Sequence, residues 1–317
     1  TTKSAEHTVT FAAAEVTLTL ADSYVCVDDS GETTAEVTVN YDGEGTVTAT
    51  SKNAEVATAA YAEGKITVTA VKTGKAVIEV TDGEKTAELT VEVATAGLTY
   101  ETLSAEDADG NAYEYVQVSD GEGRTSTDVY IPGYRYMEDA AEGEGALLPV
   151  TIIKAAPNGP GDLPTTSGGA FTNNNNIVSV YLGDNVVTVG ASAFMDCREL
   201  TKVVCGPALK SIGRGAFGSS NGSTANACAK LTQFDSSKAT TLLNVEGAAF
   251  RFSGLTEFVF PESCEFIGDS VFMGCEKLET VKILSEKVTK LWGSTFLNCA
   301  CRGLKTLWLP ASIVEIG

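Results

Sequence analysis

At 317 residues, 43% of them apolar, the chain is long enough to bury more than one core, so two or more domains are expected. Its 42 acidic against 22 basic residues leave a formal charge of −20, which excludes partners that present phosphate, nucleic acid and anionic lipid alike. No run reaches the roughly 18 consecutive apolar residues of a membrane span, and the opening TTKSAEHTVT lacks the segments of a signal peptide, so no membrane insertion is expected within this chain.

Residues 8–96 alternate with period two in EVTLTL, AEVTVNY, TVTATS, KITVTAV, KAVIEVT and TAELTVEV, separated by turn segments such as DSG, DGEG and KTGK. One face of each run turns inward, and Val, Thr and Ile suit a pleated surface, so these residues predict a β-sandwich. The region has only Cys26 and no tryptophan, so it lacks the Cys…Trp…Cys core of antibody domains. The stretch KITVTAVKTGKAVIEVTDGEKTAELTVEV at 65–93, above all V-K-T-G-K-A-x-I-x-V at 71–80, resembles the group 2 bacterial immunoglobulin-like domain.

Residues 97–126 are polar and acidic and read as a linker and the start of a cap. Within them DADGN places Asp107, Asp109 and Asn111 like the opening of a calcium loop, but glycine stands fourth and Val118 twelfth, so a hairpin turn is expected instead. TDVYIP at 127–132 and LLPVTII at 147–153 are strand-like, and 127–176 reads as the atypical N-terminal cap of a repeat array, carrying insertions at 133–146 and 154–168. LPTTSGG at 163–169 approaches a sortase signal, but Ser167 replaces the glycine and no apolar segment with a basic tail follows.

The remainder, 177–317, repeats. SIGRGAFG at 211–218 contains G-x-G-x-x-G, the fingerprint of a dinucleotide loop, yet TVGASAF, NVEGAAF, FIGDSVF and LWGSTF share its frame with only one of its glycines. Repetition explains the motif without a ligand, and no cofactor is expected. Six phenylalanines mark the unit, at 171, 194, 217, 250, 272 and 296, and its starts lie at Ile177, Leu200, Leu231, Leu255, Leu278 and Leu304, with 200 − 177 = 23 and 278 − 255 = 23. Each unit opens as L-x-x-V-x-L, one short strand, turns at I-G and returns by a short helical or extended segment. Cys197, Cys275 and Cys299 follow a marker phenylalanine by three, and Cys228 shares their phase, where a small buried hydrophobe would serve. Asn174 and Ser253 take the same place, so free thiols are expected. CAC at 299–301 is too short to clamp a metal alone, and no metal site is expected.

LTEFVFPESCEFIGDSVFMGCEKL at 255–278 resembles the leucine-rich repeats of BspA-like bacterial surface proteins, a resemblance that covers about 127–317. It implies a mostly β chain whose sandwich is followed by a right-handed solenoid with a parallel sheet along its concave side. It also implies a secreted or cell-surface protein that attaches to host matrix proteins, to host cell surfaces or to other bacteria, and a glycan is a further candidate partner.

With His7 as the only histidine, Ser-His-Asp and Cys-His mechanisms have no base, and nothing singles out a carboxylate pair, so no catalytic residue is assigned and no enzyme is expected. If L-x-x-V-x-L points Leu, Val and Leu inward, one outward column runs Tyr181, Val204, Asp235, Val259, Lys282 and Trp308. Its neighbour runs Ser179, Lys202, Gln233, Glu257, Thr280 and Thr306. These columns are the candidate ligand-binding face, with Tyr181 and Trp308 as its aromatic members. A glycan-capture accessory or carbohydrate-active protein, and a passive structural stalk, remain as alternatives.

Overall fold

Alternating Val, Thr and Ile fold into eight strands in the N-terminal part, two more than the runs visible in the sequence. A computed structural model describes residues 16–31, 33–138, 145–157, 168–220, 222, 224–225, 227–299 and 303–317. The start of the sandwich at 8–15, His7, most of LPTTSGG, the last two residues of CAC and parts of both insertions lie outside the described residues. Strands β1 (Leu18–Leu20), β3 (Thr34–Tyr41), β6 (Lys65–Ala70) and β5 (Ala57–Ala62) make one sheet in that order. The facing sheet is β2 (Tyr24–Asp28), β8 (Thr86–Ala94), β7 (Gly74–Thr81) and β4 (Thr48–Ser51). Val37, Ile66, Val68, Ile78, Leu89 and Val91 interlock between them as a core of their own. This is the immunoglobulin-like sandwich.

Residues 97–126 hold a long hairpin, β9 (Leu98–Glu106) and β10 (Ala112–Asp120), closed at DADGN where the Asp107 carboxylate accepts from the Asp109 and Asn111 amides at 2.9 Å each. Strand β11 (Asp128–Ile131) follows, then β12 (Tyr134–Met137) and β13 (Ala146–Ile153). Parallel β10–β13 pairing opens a sheet that continues through β15 (Thr188–Val189), β17 (Ser211–Ile212), β19 (Asn244–Val245) and β21 (Phe266–Ile267). The concave sheet begins at β11 and runs through β14 (Ser179–Leu182), β16 (Lys202–Val204) and β18 (Gln233–Asp235). It resumes as a separate sheet in β20 (Glu257–Phe260), β22 (Thr280–Ile283) and β24 (Thr306–Trp308), and β23 (Lys290–Leu291) pairs β25 (Glu315–Ile316). The described residues contain no helix; each unit returns by a two-residue strand and successive turns.

The marker phenylalanines form one column inside the coil. Ring centroids of Phe171, Phe194, Phe217, Phe250, Phe272 and Phe296 follow one another at 4.9, 5.2, 5.5, 5.9 and 5.9 Å, with planes within 18° of parallel. All but Phe296 are fully buried. Rungs approach so closely at the I-G turn that a Cβ on Gly213 would lie 2.5 Å from the Ala191 main-chain nitrogen, and one on Gly268 2.3 Å from that of Gly247. The glycines of SIGRGAFG therefore serve rung-to-rung packing, and no helix follows them.

The cysteine column is not merely an apolar slot. Cys197 Sγ donates to the Phe171 carbonyl at 3.1 Å, Cys228 to Phe194 at 3.1 Å, and Cys275 to Phe250 at 3.0 Å, each reaching back one rung. Ser253, in the same place, instead shares a hydrogen bond with the Cys275 thiol at 3.4 Å. All seven described cysteines are free thiols. Burial pushes the Cys228 thiol up to about 12, so it stays protonated and donating. Cys228→Ser should retain stability, whereas Cys228→Ala leaves the Phe194 carbonyl with only the Cys197 amide at 3.3 Å and should lose about 1 kcal/mol in thermal unfolding. Equal melting temperatures for the two variants would contradict the donor role.

The sandwich closes the concave sheet rather than hanging from it. Thr95, just past β8, accepts from the Tyr130 amide at 2.8 Å and donates its own amide to the Tyr130 carbonyl at 3.1 Å, so it occupies the place of a preceding rung on β11. Glu92, 1% exposed, accepts from the Tyr24 hydroxyl, from the Tyr130 hydroxyl at 3.0 Å and from the Gly133 amide at 2.6 Å. Arg135 grips Asp28 through two bonds of 2.6 and 2.8 Å and stacks over Tyr100 at 4.8 Å. Buried charge is matched on both sides of the joint, as its burial requires.

Candidate concave binding face

Each repeat strand is only three or four residues long, so two outward side chains per rung reach the trough. Ladder register aligns them as rows: Tyr181 opposite Val204 opposite Asp235, and Val259 opposite Lys282 opposite Trp308. Beside them run Lys202 and Gln233, then Glu257, Thr280 and Thr306. Gln233, Asp235, Glu257, Val259, Lys282, Thr306 and Trp308 are exposed, and Tyr181, Lys202 and Val204 half-exposed. Of the two remaining positions of the pattern, Thr280 is half-exposed and Ser179 is 5% exposed, its hydroxyl given to Asp128, so the second row starts at Lys202.

Two features of the face were not visible in the sequence. Register extends the first row backwards to Tyr130, opposite Tyr181, and this ring is anchored by Glu92. Burial, followed by the Glu92 charge, drives the Tyr130 phenol well above its ordinary value, which keeps it a neutral donor. Along the row the Lys202 ammonium sits over the Tyr181 ring, 5.4 Å from its centre, an arrangement that orders both side chains.

The second feature is the break between β18 and β20. It opens a groove of about 740 Å³ between Gln233, Asp235 and Ser236 on one wall and Glu257, Val259 and Pro261 on the other, floored by Phe234 and Phe258. Its cause is local. Leu209 follows Leu200 by nine residues and Cys264 follows Leu255 by nine, but 242 − 231 = 11, so this unit carries two more residues after its strand. Asp235 folds them into a tight turn, accepting from the Ser237 hydroxyl at 2.6 Å and amide at 3.0 Å. Those two bonds hold the Asp235 carboxyl below the usual carboxylate range. The inward slot filled by Leu182, Cys205, Phe260 and Ile283 elsewhere falls to Ser236, and the sheet parts.

A smaller cavity of about 300 Å³ lies among Leu291, Trp292, Phe296, Leu297 and Ile316 beside the last rungs. Among the described residues no three His, Cys, Asp or Glu side chains gather as metal ligands, and no helix is long and apolar enough to cross a membrane.

Residues 158–238 and 243–317 match the model of the BspA type leucine rich repeat region, in six copies, and residues 12–93 match that of the bacterial Ig-like domain, group 2. Comparison with curated proteins gives no match. Among solved structures, a leucine-rich repeat protein from Bacteroides ovatus is 20% identical over 70% of this chain, with a TM-score of 0.46, and the chain spans 54% of that protein's length. The T. pallidum leucine rich repeat protein is 21% identical over 68% of this chain and 78% of its own, with a TM-score of 0.45. A leucine rich cell surface protein from Faecalibacterium prausnitzii is 19% identical over 68% and 70%, with a TM-score of 0.30. The chain thus carries a BspA type leucine rich repeat region behind a group 2 bacterial Ig-like domain.

Proposed function

We propose that this is a secreted or surface-displayed bacterial binding protein, and that the concave face holds its ligand, a protein of host matrix or cell surface or a glycan. The observation that carries the reading is the pair of outward rows, aligned by ladders on either side of the β18–β20 break, that bear Tyr181 on one side and an exposed Trp308 on the other. Aromatic side chains supply contact area at low entropic cost, and stacked strands repeat it at fixed spacing. The repeat family supports attachment over catalysis.

A glycan and matrix-protein array probed with the chain and with a Tyr181→Ala, Trp308→Ala double variant tests the assignment. The double variant is expected to lose at least about tenfold in signal, on the order of 1.4 kcal/mol. Equal signals would remove the aromatic rows from recognition.

A further inference from the structure

The gap between β18 and β20 has main-chain consequences. On β18, the Gln233 amide donates to the Thr201 carbonyl at 3.2 Å and the Asp235 carbonyl accepts from the Cys205 amide at 2.8 Å. Residues 233 and 235 thus spend both main-chain groups on β16, which turns those of Phe234 toward the gap. On β20, the Thr256 carbonyl accepts from the Thr280 amide at 3.2 Å and the Phe260 carbonyl from the Leu284 amide at 3.0 Å. Residues 256, 258 and 260 therefore face β22, and the amides and carbonyls of Glu257 and Val259 face the gap. No ladder joins the two strands. Three residues' worth of peptide groups thus converge on one groove without strand partners.

We propose that this groove receives an extended polypeptide segment, which adds as a strand to the open edge of β20 and carries a basic side chain between two carboxylates. The inference rests on the concave face being the recognition surface, and it names the ligand's chemistry. Main-chain groups in strand geometry are best met by another main chain, since a peptide supplies donors and acceptors at the same repeat. Side chains of that peptide alternate. Those turned to one side meet the Val259 side chain, 39% exposed, and Leu284, 37% exposed, and a cationic one meets Asp235 and Glu257. Among the described residues Glu257 has no ion pair; Lys202, which also lines the groove and with Lys238 attracts the Asp235 carboxylate, rests its ammonium over the Tyr181 ring. An acidic chain of charge −20 also favours a cationic partner over long range.

The test uses the full chain and three capped nonapeptides: one alternating Val and Lys, one alternating Val and Glu, and the first again with every second amide N-methylated, prepared in both phases. Fluorescence anisotropy at low salt is expected to show binding of the Val/Lys peptide and at least tenfold weaker binding of the others. Val259→Pro deletes one amide that faces the groove while the β20–β22 ladder keeps its bonds, and Glu257→Gln removes one carboxylate. Each should weaken the Val/Lys peptide at least tenfold, with circular dichroism unchanged; should Val259→Pro fail to fold, Glu257→Gln decides. Equal affinity of methylated and unmethylated peptides overturns the proposal, as does equal affinity of the two charge types, or no binding at roughly millimolar peptide. Array ligands that bind the Val259→Pro variant undiminished, with no peptide binding, also overturn it while leaving the aromatic rows in place. Loss of array signal in the Tyr181, Trp308 variant with peptide binding intact separates the two sites in the opposite sense.

Discussion

Replacing Phe250 by alanine is expected to lower the unfolding free energy by about 3 to 5 kcal/mol, the range found when a buried phenylalanine leaves a cavity that cannot collapse. Phe250 is fully buried, lies parallel to Phe217 at 5.5 Å and Phe272 at 5.9 Å, meets Phe234 edge-on at 4.9 Å and packs against the tilted ring of Phe258 at 5.1 Å. Neighbours are held at rung spacing by the continuous β17–β19–β21 ladder, so they are not free to close the space. Phe296, half-buried at the end of the column, should lose only about 1 to 2 kcal/mol when truncated, because less apolar area leaves water there. Urea titration followed by near-ultraviolet circular dichroism measures both. Equal midpoints for the two variants would contradict a continuous aromatic column.

Glu92→Ala should cost about 3 kcal/mol, since it leaves the Tyr130 hydroxyl and the Gly133 amide without their acceptor in a buried joint and the Tyr24 hydroxyl with only the Tyr134 carbonyl at 3.2 Å. Calorimetry of the full chain is expected to show a lowered transition, and the sandwich should melt apart from the repeats once the joint is cut. A variant that unfolds at the parent temperature in a single step would refute the role. Alkali offers a second readout. Burial first, then the Glu92 charge, raises the folded pKa of Tyr24 and Tyr130 above the ordinary value of 10.0, so the folded state holds their protons more tightly than the unfolded one. Stability from these phenols is fully present below about pH 10 and declines as pH rises beyond it, and the Glu92→Ala chain should show a shallower decline.

Much of this architecture could be read from residues. The aromatic column was legible because one large residue recurs in a fixed frame, and the outward rows because L-x-x-V-x-L permits a single inward set. Strand Ala57–Ala62 was missed since ATAAYA offers little contrast between its faces, and Tyr24–Asp28 because its flanking acidic residues resemble turns. The hairpin at 98–120 looked like a linker for a related reason: β9 is largely exposed, and its partner β13 lies some 30 residues downstream of β10. Tyr130 gave no signal, as only the ladder to β14 puts it in line with Tyr181. The groove was hidden by its own chemistry, because Ser236 and Ser237 look like any turn, and two extra residues disturb a sheet only once neighbouring rungs are stacked. Size alone suggested an apolar place for Cys197, whereas its role as a donor depends on a carbonyl 26 residues away.

The weld at Thr95, Glu92 and Arg135 leaves no swivel between sandwich and coil. Whatever fastens the sandwich also fixes the bearing of the trough, so the molecule meets its surroundings as an angled bracket and not as a weight on a string.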